Sequence, residues 1–511
     1  MAGVARNAEL RELLWFCLPA LLLGLAVRTL LAIQMPYGYV QFDTGDFLTT
    51  PYRLLTDGVV VIHGKKTFLV PILYSIPFLL RLPALLFIPL AQHFLGLGFV
   101  LITGALVRLW FTWWKWLIVP ITVITALNPV LLWFEQALLA ESIYLFCAGG
   151  LALAGTLFFL RPTAGRLAWV LVALILTAGA RPEGKLFFPF APLLVLLACW
   201  GDWKKMGRFL AVVFAATLLV FAATRSTQAG QLLYATMLPL SPDRSRVAPE
   251  FSDWIRPLRD TVRARWGDVP KKLTTLEKEL GTKAKWFLDA RPDLSKKLNA
   301  NQLCEKLALE AMLTQPTRLP LIAWTKFHLS MSGAAEVGFG SHALYEKQAI
   351  GFTRKKWMLG FSDRMTGQRL ASQQDVAAFL RAHYRPMGWY DALDMKWRAL
   401  TTQWRPRSHK MFGQTIPALP YFFRYALLGM ALALVRPGRW RLFHLAWVTS
   451  LAAVWFGVML TGVVNPRYRL LFEPFCLVYL FLLLDAAACA VAWLRSCFAR
   501  KNLVVTGLEA A

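Results

Sequence analysis

Two aspartates three residues apart, Asp43 and Asp46 in Gln41-Phe42-Asp43-Thr44-Gly45-Asp46-Phe47, put two carboxylates on one side of a helical turn. Such a pair can raise one pKa and create a general base. It could also hold a divalent cation, magnesium or manganese, through oxygen ligands, or start a helix with Asp43 or Thr44 as N-cap. A second group follows Asn128-Pro129, with Glu135 and Glu141-Ser142 at the mouth of an apolar run. A third is Arg181-Pro182-Glu183-Gly184-Lys185, a turn whose arginine needs an anionic partner, either a ligand or Glu183 itself. A fourth is Asn465-Pro466-Arg467-Tyr468-Arg469, with Glu473 one turn later. Two arginines beside an aromatic suit bidentate recognition of phosphate, or anchoring at lipid headgroups. The fifth and weakest is His63-Gly64-Lys65-Lys66, which also reads as a solvated charge run.

These residues punctuate a chain that is 57% apolar and only 17% charged over 511 residues, with mean hydropathy +0.48. An ordinary soluble domain and a disordered chain are both excluded by that balance. Several apolar runs reach the ~20 residues a bilayer span requires. The net charge of +27 then reads as topology and lipid contact rather than nucleic-acid binding. Spans are expected near 12–34, 84–111, 116–134, 137–160, 167–181, 186–201, 208–225, 413–435, 442–464 and 468–494, about ten in all. The run from Leu13 to Ile33 reads as a retained signal-anchor helix. With the N-terminus in the cytoplasm, the inner ends carry Arg108, Lys115, Arg161, Arg166, Lys204, Lys205, Arg208, Arg436, Arg439 and Arg441. All five chemical groups then fall on the outer face.

The expected organisation is an N-terminal transmembrane module over 1–225, with a first outer loop at 35–83. An outer domain follows at 226–411, then C-terminal helices at 412–495 and a cytoplasmic tail at 496–511. Between 241 and 410 stand 30 Lys and Arg against 17 Asp and Glu, a net of +13. Gln302–Met312 has helical spacing. Pro320–Met331 is apolar but too short to span, and could lie in the interface with Lys326 and Arg318 snorkelling. His93 and Asp485 read as packed polar contacts, and Trp113, Trp114 and Trp116 as an interfacial belt. The seven cysteines show neither a disulfide framework nor a CxxC pattern.

No phosphate-binding glycine loop, HExxH zinc motif or GxSxG elbow is present. Group transfer from a lipid-linked phosphate fits better. Arginine would stabilise the anionic leaving group, a carboxylate would take the proton of an acceptor hydroxyl, and the apolar bundle would hold the lipid tail.

The chain resembles the GT-C membrane glycosyltransferases that use polyprenyl-phosphate sugars, among them protein O-mannosyltransferases and the lipid A aminoarabinose transferases. The likeness rests on Asp43-Thr44-Gly45-Asp46-Phe47 followed by Leu54-Leu55-Thr56-Asp57-Gly58, on Gln92-His93-Phe94-Leu95-Gly96, on Asn128-Pro129 through Glu141-Ser142, on Arg181-Pro182-Glu183-Gly184, and on Pro466-Arg467-Tyr468-Arg469 with Glu473-Pro474. The acidic pair departs from the adjacent Asp-Glu of the mannosyltransferases, and 226–411 matches no domain of that family.

The resemblance implies a GT-C-like, mainly α bundle with an amphipathic first outer loop and a mostly helical outer domain. It implies Asp43 as catalytic base, with Asp46 as second candidate, acceptor-orienting group or metal ligand. Arg467 and Arg181 would hold the lipid phosphate, and Glu141 would sit near the sugar or tune the base. Tyr468, Arg469, Lys65 and Glu473 complete the expected substrate-binding set. Transfer would proceed with inversion to a cell-envelope glycan, lipid or protein, at the outer face of the cytoplasmic membrane, with membrane lipids as partners and no nucleic acid. A transporter or flippase of lipid-linked sugars, a ligase of a pyrophosphate-linked glycan, and a polymer-binding scaffold are the competing readings.

Overall fold

A computed structural model describes residues 2–508 other than 41–42, 63–65, 224–228, 267–272, 333–342, 354, 386, 402–407, 412–413, 418, 436–439 and 462–471. The first helix, α1 (Ala2–Gln34), is followed by a segment that folds into α2 (Thr44–Phe47), α3 (Thr49–Asp57) and α4 (Leu69–Leu79). Gly58 ends α3 in the left-handed region at φ +68°, where a side chain would be strained. The bundle resumes with α5 (Ala84–Trp110), α6 (Trp114–Ala126), α7 (Pro129–Gln136), α8 (Glu141–Leu160), α9 (Ala164–Ala180), α10 (Phe190–Ala198) and α11 (Trp203–Ala223). Here α1 packs on α5 and α6, α5 on α8, and α8 on α9.

The expected count of spans is not met. Among the described residues, five helical segments are long and apolar enough to cross a membrane: Glu9–Gln34, Ala84–Trp110, Glu141–Leu160, Trp440–Leu460 and Glu473–Ala492. A sixth arises if α6 and α7, which meet at 44°, form one broken span. The reasons are local. Asn128 accepts from the N–H groups of Val130 and Leu131, and Pro129 occupies the first turn, so the expected helix 116–134 restarts as α7. Ala137 is extended and residues 138–140 bend, so the next helix begins at Glu141 rather than 137. The expected helix 186–201 is split into a 3-10 turn, Pro182–Phe187, and the nine-residue α10. At 17 residues α9 is apolar but short of the ~20 needed.

The long segment after α11 is mostly helical: α12 (Ala229–Met237), α13 (Pro249–Trp266), α14 (Leu273–Asp289), α15 (Pro292–Ser295), α16 (Ala300–Thr314), α17 (Leu319–Ser332), α18 (Ala343–Thr353), α19 (Lys356–Gly360), α20 (Ser362–Thr366), α21 (Gln373–His383) and α22 (Gly388–Thr401). The helix expected at 302–312 is α16, started by a reciprocal capping box between Asn299 and Gln302. In α17, Lys326 does not snorkel. It is fully buried and donates to Thr236 Oγ1 at 3.1 Å, because α17 packs against protein. An antiparallel hairpin of β1 (Ser408–Met411) and β2 (Gln414–Pro417) stands where the eighth span was expected to begin. The chain closes with α23 (Tyr421–Val435), α24 (Trp440–Thr461) and α25 (Glu473–Leu508), which pack together.

The later part of the long segment lies on the first one. Gln348 Nε2 donates to the carbonyl of Gly38, Tyr384 Oη to Tyr37, and the Arg385 amide to Gln34. Trp389 Nε1 donates to Gln34 Oε1, and Tyr390 Oη to Pro129. His93 is a bonded, buried group, and Asp485 accepts from the amides of Thr112 and Trp113 ahead of α6.

Candidate active site

A cleft opens where the first outer segment meets the N-terminal end of α8 and the C-terminal end of α9. It has a volume of about 130 Å³ and is lined by Asp43, Lys66, Thr67, Glu141, Arg181 and Glu183, with Phe47 and Leu139 among its apolar walls. Three groups that are far apart in the chain thus share one concave surface.

Asp43 reaches it through a short piece of ladder. The amide of Tyr39 donates to Gln136 O at 2.8 Å, and that of Leu138 to Tyr39 O at 3.0 Å, a parallel bridge between the first outer segment and the 137–140 stretch. Gly38 makes this approach possible, since a Cβ there would fall 2.2 Å from Leu138 and 2.6 Å from Pro89. Asp43 stands at the N-cap position of α2 but makes no side-chain capping bond. Lys66 Nζ lies 3.8 Å from its carboxylate and 4.4 Å above the Phe47 ring. Thr44 Oγ1 donates to Leu138 O, and Tyr74 Oη to Leu139 O, so the same loop is pinned to the opposite wall.

Glu141 opens α8 and is buried, held by Arg181 Nη1 at 2.5 Å. The same guanidinium meets Glu183 through Nε and Nη2, both at 3.1 Å. Arg181 therefore has the internal partner its sequence context suggested, and a second carboxylate besides. Thr67 Oγ1 is buried and has no hydrogen-bond partner among the described residues. Burial lowers the pKa of Lys185, on the 3-10 turn beside Arg181.

Among the expected residues, the structure brings together Asp43, Glu141 and Arg181. It does not bring Asp46 into the cleft lining. Asp46 faces Lys355 Nζ at 3.1 Å, a contact between the first outer segment and the residue preceding α19. Glu473 also lies outside the lining, buried at the start of α25, where it accepts from Trp397 Nε1 at 2.5 Å. Lys65, Arg467, Tyr468 and Arg469 lie outside the described residues. No cluster of three metal-binding side chains occurs among the described residues, and each aspartate of the pair faces a lysine. Sequence reasoning weighted Lys65 where Lys66 lines the cleft, and passed over Arg28. The signal for Arg28 was present: an arginine inside the apolar run Leu21–Ile33 must meet a buried partner.

No protein-family model and no curated protein matches this chain. Among solved structures, ArnT from Cupriavidus metallidurans bound to undecaprenyl phosphate is similar at 14% identity, covering 86% of this chain and 77% of that one, with a TM-score of 0.31. At that score the likeness carries no argument.

Proposed function

We propose that the chain is a membrane glycosyltransferase that moves a sugar from a polyprenyl-phosphate donor to an acceptor hydroxyl, with Asp43 as general base. The observation that carries this reading is the shared cleft. It sets an acid, a lysine and a buried hydroxyl without a partner beside an arginine-ordered pair of glutamates, at one end of an apolar bundle. The order and spacing of the GT-C-like motifs support the same reading.

In the proposed step the acceptor oxygen attacks the anomeric carbon while Asp43 takes the hydroxyl proton. The bond from that carbon to the phosphate oxygen breaks, and the polyprenyl phosphate leaves with the electron pair. Lys66, next to Asp43, supplies positive charge for that leaving oxygen. Thr67 offers a hydroxyl donor to the phosphate. Arg181 is engaged by two carboxylates, so its role in this scheme is to hold Glu141 ionised and oriented toward the sugar. Arg467 and Arg469 are assigned to the phosphate from their sequence pattern. A single displacement inverts the anomeric centre. The basic residues Arg108, Lys115, Arg161, Arg166, Lys204 and Lys205 sit at the helix ends opposite the cleft, which supports a cleft facing away from the cytoplasm. A bacterial inner membrane with a periplasmic site is the setting we assign.

The test is transfer by the purified full chain, offered a panel of radiolabelled polyprenyl-phosphate sugars and crude envelope acceptors. Transfer with at least one donor, abolished in Asp43→Asn with donor binding retained, is the expected result. Saturable donor binding with no transfer from any donor would move the reading to a carrier of lipid-linked sugars.

A further inference from the structure

Behind the cleft, inside the helix bundle, lies a closed set of polar side chains that the chemistry above does not use. Arg28 in α1 grips Glu135 in α7 with two parallel bonds, Nε to Oε2 at 2.7 Å and Nη2 to Oε1 at 2.6 Å. Its remaining nitrogen donates to the carbonyls of Gly24 and Ala126. His93 Nδ1 donates to Glu135 Oε2 at 2.8 Å, while Nε2 lies 3.1 Å from Gln136 Oε1. Gln136 Nε2 donates to the carbonyls of Met35 at 2.6 Å and Tyr37 at 3.1 Å. Gln92 Nε2 donates to Ala137 O at 2.9 Å, and Gln92 Oε1 accepts from Ser142 Oγ. The side chains of Arg28, Gln92, His93, Glu135, Gln136 and Ser142 are each at least nine-tenths buried.

Burying an ion pair in an apolar bundle is costly, and an apolar replacement is often neutral or stabilising. The geometry here shows what the pair is attached to. Glu135 and Gln136 are the last residues of α7, directly before the connecting stretch 137–140. That stretch ladders with Tyr39 and receives Thr44 and Tyr74, and it ends at Glu141. The network thus clamps both strands of the bridge that carries Asp43 on one side and Glu141 on the other.

We infer that Glu135, gripped by Arg28 and relayed through Gln136, is a positioning residue that sets the placement of Asp43 against Glu141 across the cleft. This inference rests on the proposed function for its kinetic consequence, but its structural consequence can be read without any activity.

Two variants of the full chain test it. Glu135→Gln weakens the ion pair, and Gln136→Met leaves the Arg28–Glu135 pair intact while cutting the link to residues 35 and 37. The second variant keeps the test open if the first does not fold. Hydrogen exchange should speed up in segments 36–48 and 136–142 of each folded variant, with α24 and α25 unchanged. A misplaced base should cost about 10²-fold in kcat, with donor KM within about threefold of the parent. Unchanged exchange in both segments, or a loss of thermal stability with kcat per folded molecule intact, overturns the positioning role. If the parent itself transfers nothing from any donor, the proposed function falls, and the local exchange still decides the positioning role.

Discussion

Asp43 and Asp46 are three residues apart, yet they have different neighbours, and this divides their expected roles. Asp43 lines the cleft beside Lys66, whereas Asp46 meets Lys355 in a partly exposed pair worth at most about 1 kcal/mol. Asp43→Asn should lower transfer by about 10²-fold or more, as expected for loss of a general base. Asp46→Asn should stay within a few-fold of the parent. Comparable losses at both positions, measured in the same transfer assay, would show that the pair acts as a unit. Lys66 stands beside Asp43 in that lining. Lys66→Ala is expected to cost about 10²-fold, the scale of a lost charge-stabilising contact. Lys65→Ala should change the rate little.

Helices α5 and α7 come close only because residue 96 has no side chain. A Cβ at Gly96 would fall 1.8 Å from Glu135 Oε1, which Arg28 and His93 hold in place. Gly96→Ala should therefore destabilise the folded chain by roughly 1–3 kcal/mol, the usual cost of forcing atoms into a packed interior. Gly150 in α8 has open space around its Cβ position, so Gly150→Ala should be neutral or slightly stabilising. Thermal melts in one detergent compare the two, and equal losses would count against the crowding argument. Helix α17 carries a different liability. Burial pushes the Lys326 ammonium down to about 7 from its ordinary 10.5. Above about pH 10.5 the amine is neutral in both folded and unfolded chains. As pH falls from there toward 7, the unfolded chain binds the proton first, so stability is lost across that window. Lys326→Met should melt higher than the parent at pH 7, and the gap should narrow as pH rises toward 10. A gap that does not change with pH would mean that the lysine stays charged when folded.

Orientation is a property of the entire chain. The cleft lies at one end of the bundle, and Arg161, Arg166, Lys204 and Lys205 lie at the other. Under the proposed function, the positive-inside tendency is expected to put the cleft outside. Leu55 and Trp203 are exposed and sit toward opposite ends. In a background with Cys489 and Cys497 replaced by serine, a membrane-impermeant maleimide should label Leu55→Cys in intact cells. Trp203→Cys should label only after permeabilisation. The reverse pattern would turn the protein over and withdraw the periplasmic setting.

Composition and hydropathy were enough to read a polytopic, mainly helical chain. Helix spacing also located α16, because that signal is local and survives in one dimension. The gathering of helix-end charges on one side was legible for Asp43, Glu141 and Arg181, since each follows or precedes an apolar run whose direction can be counted. The number of long spans was not legible, because Asn128-Pro129 and Pro182 end helices that hydropathy alone would continue. Nor could the sequence show which side chains Asp43 and Asp46 would each meet, since the two share their local context. Those choices are made by contacts between residues far apart in the chain, such as Lys355 with Asp46 and Arg28 with Glu135, 107 positions away. Packing alone decides which side chain faces the cleft and which faces protein.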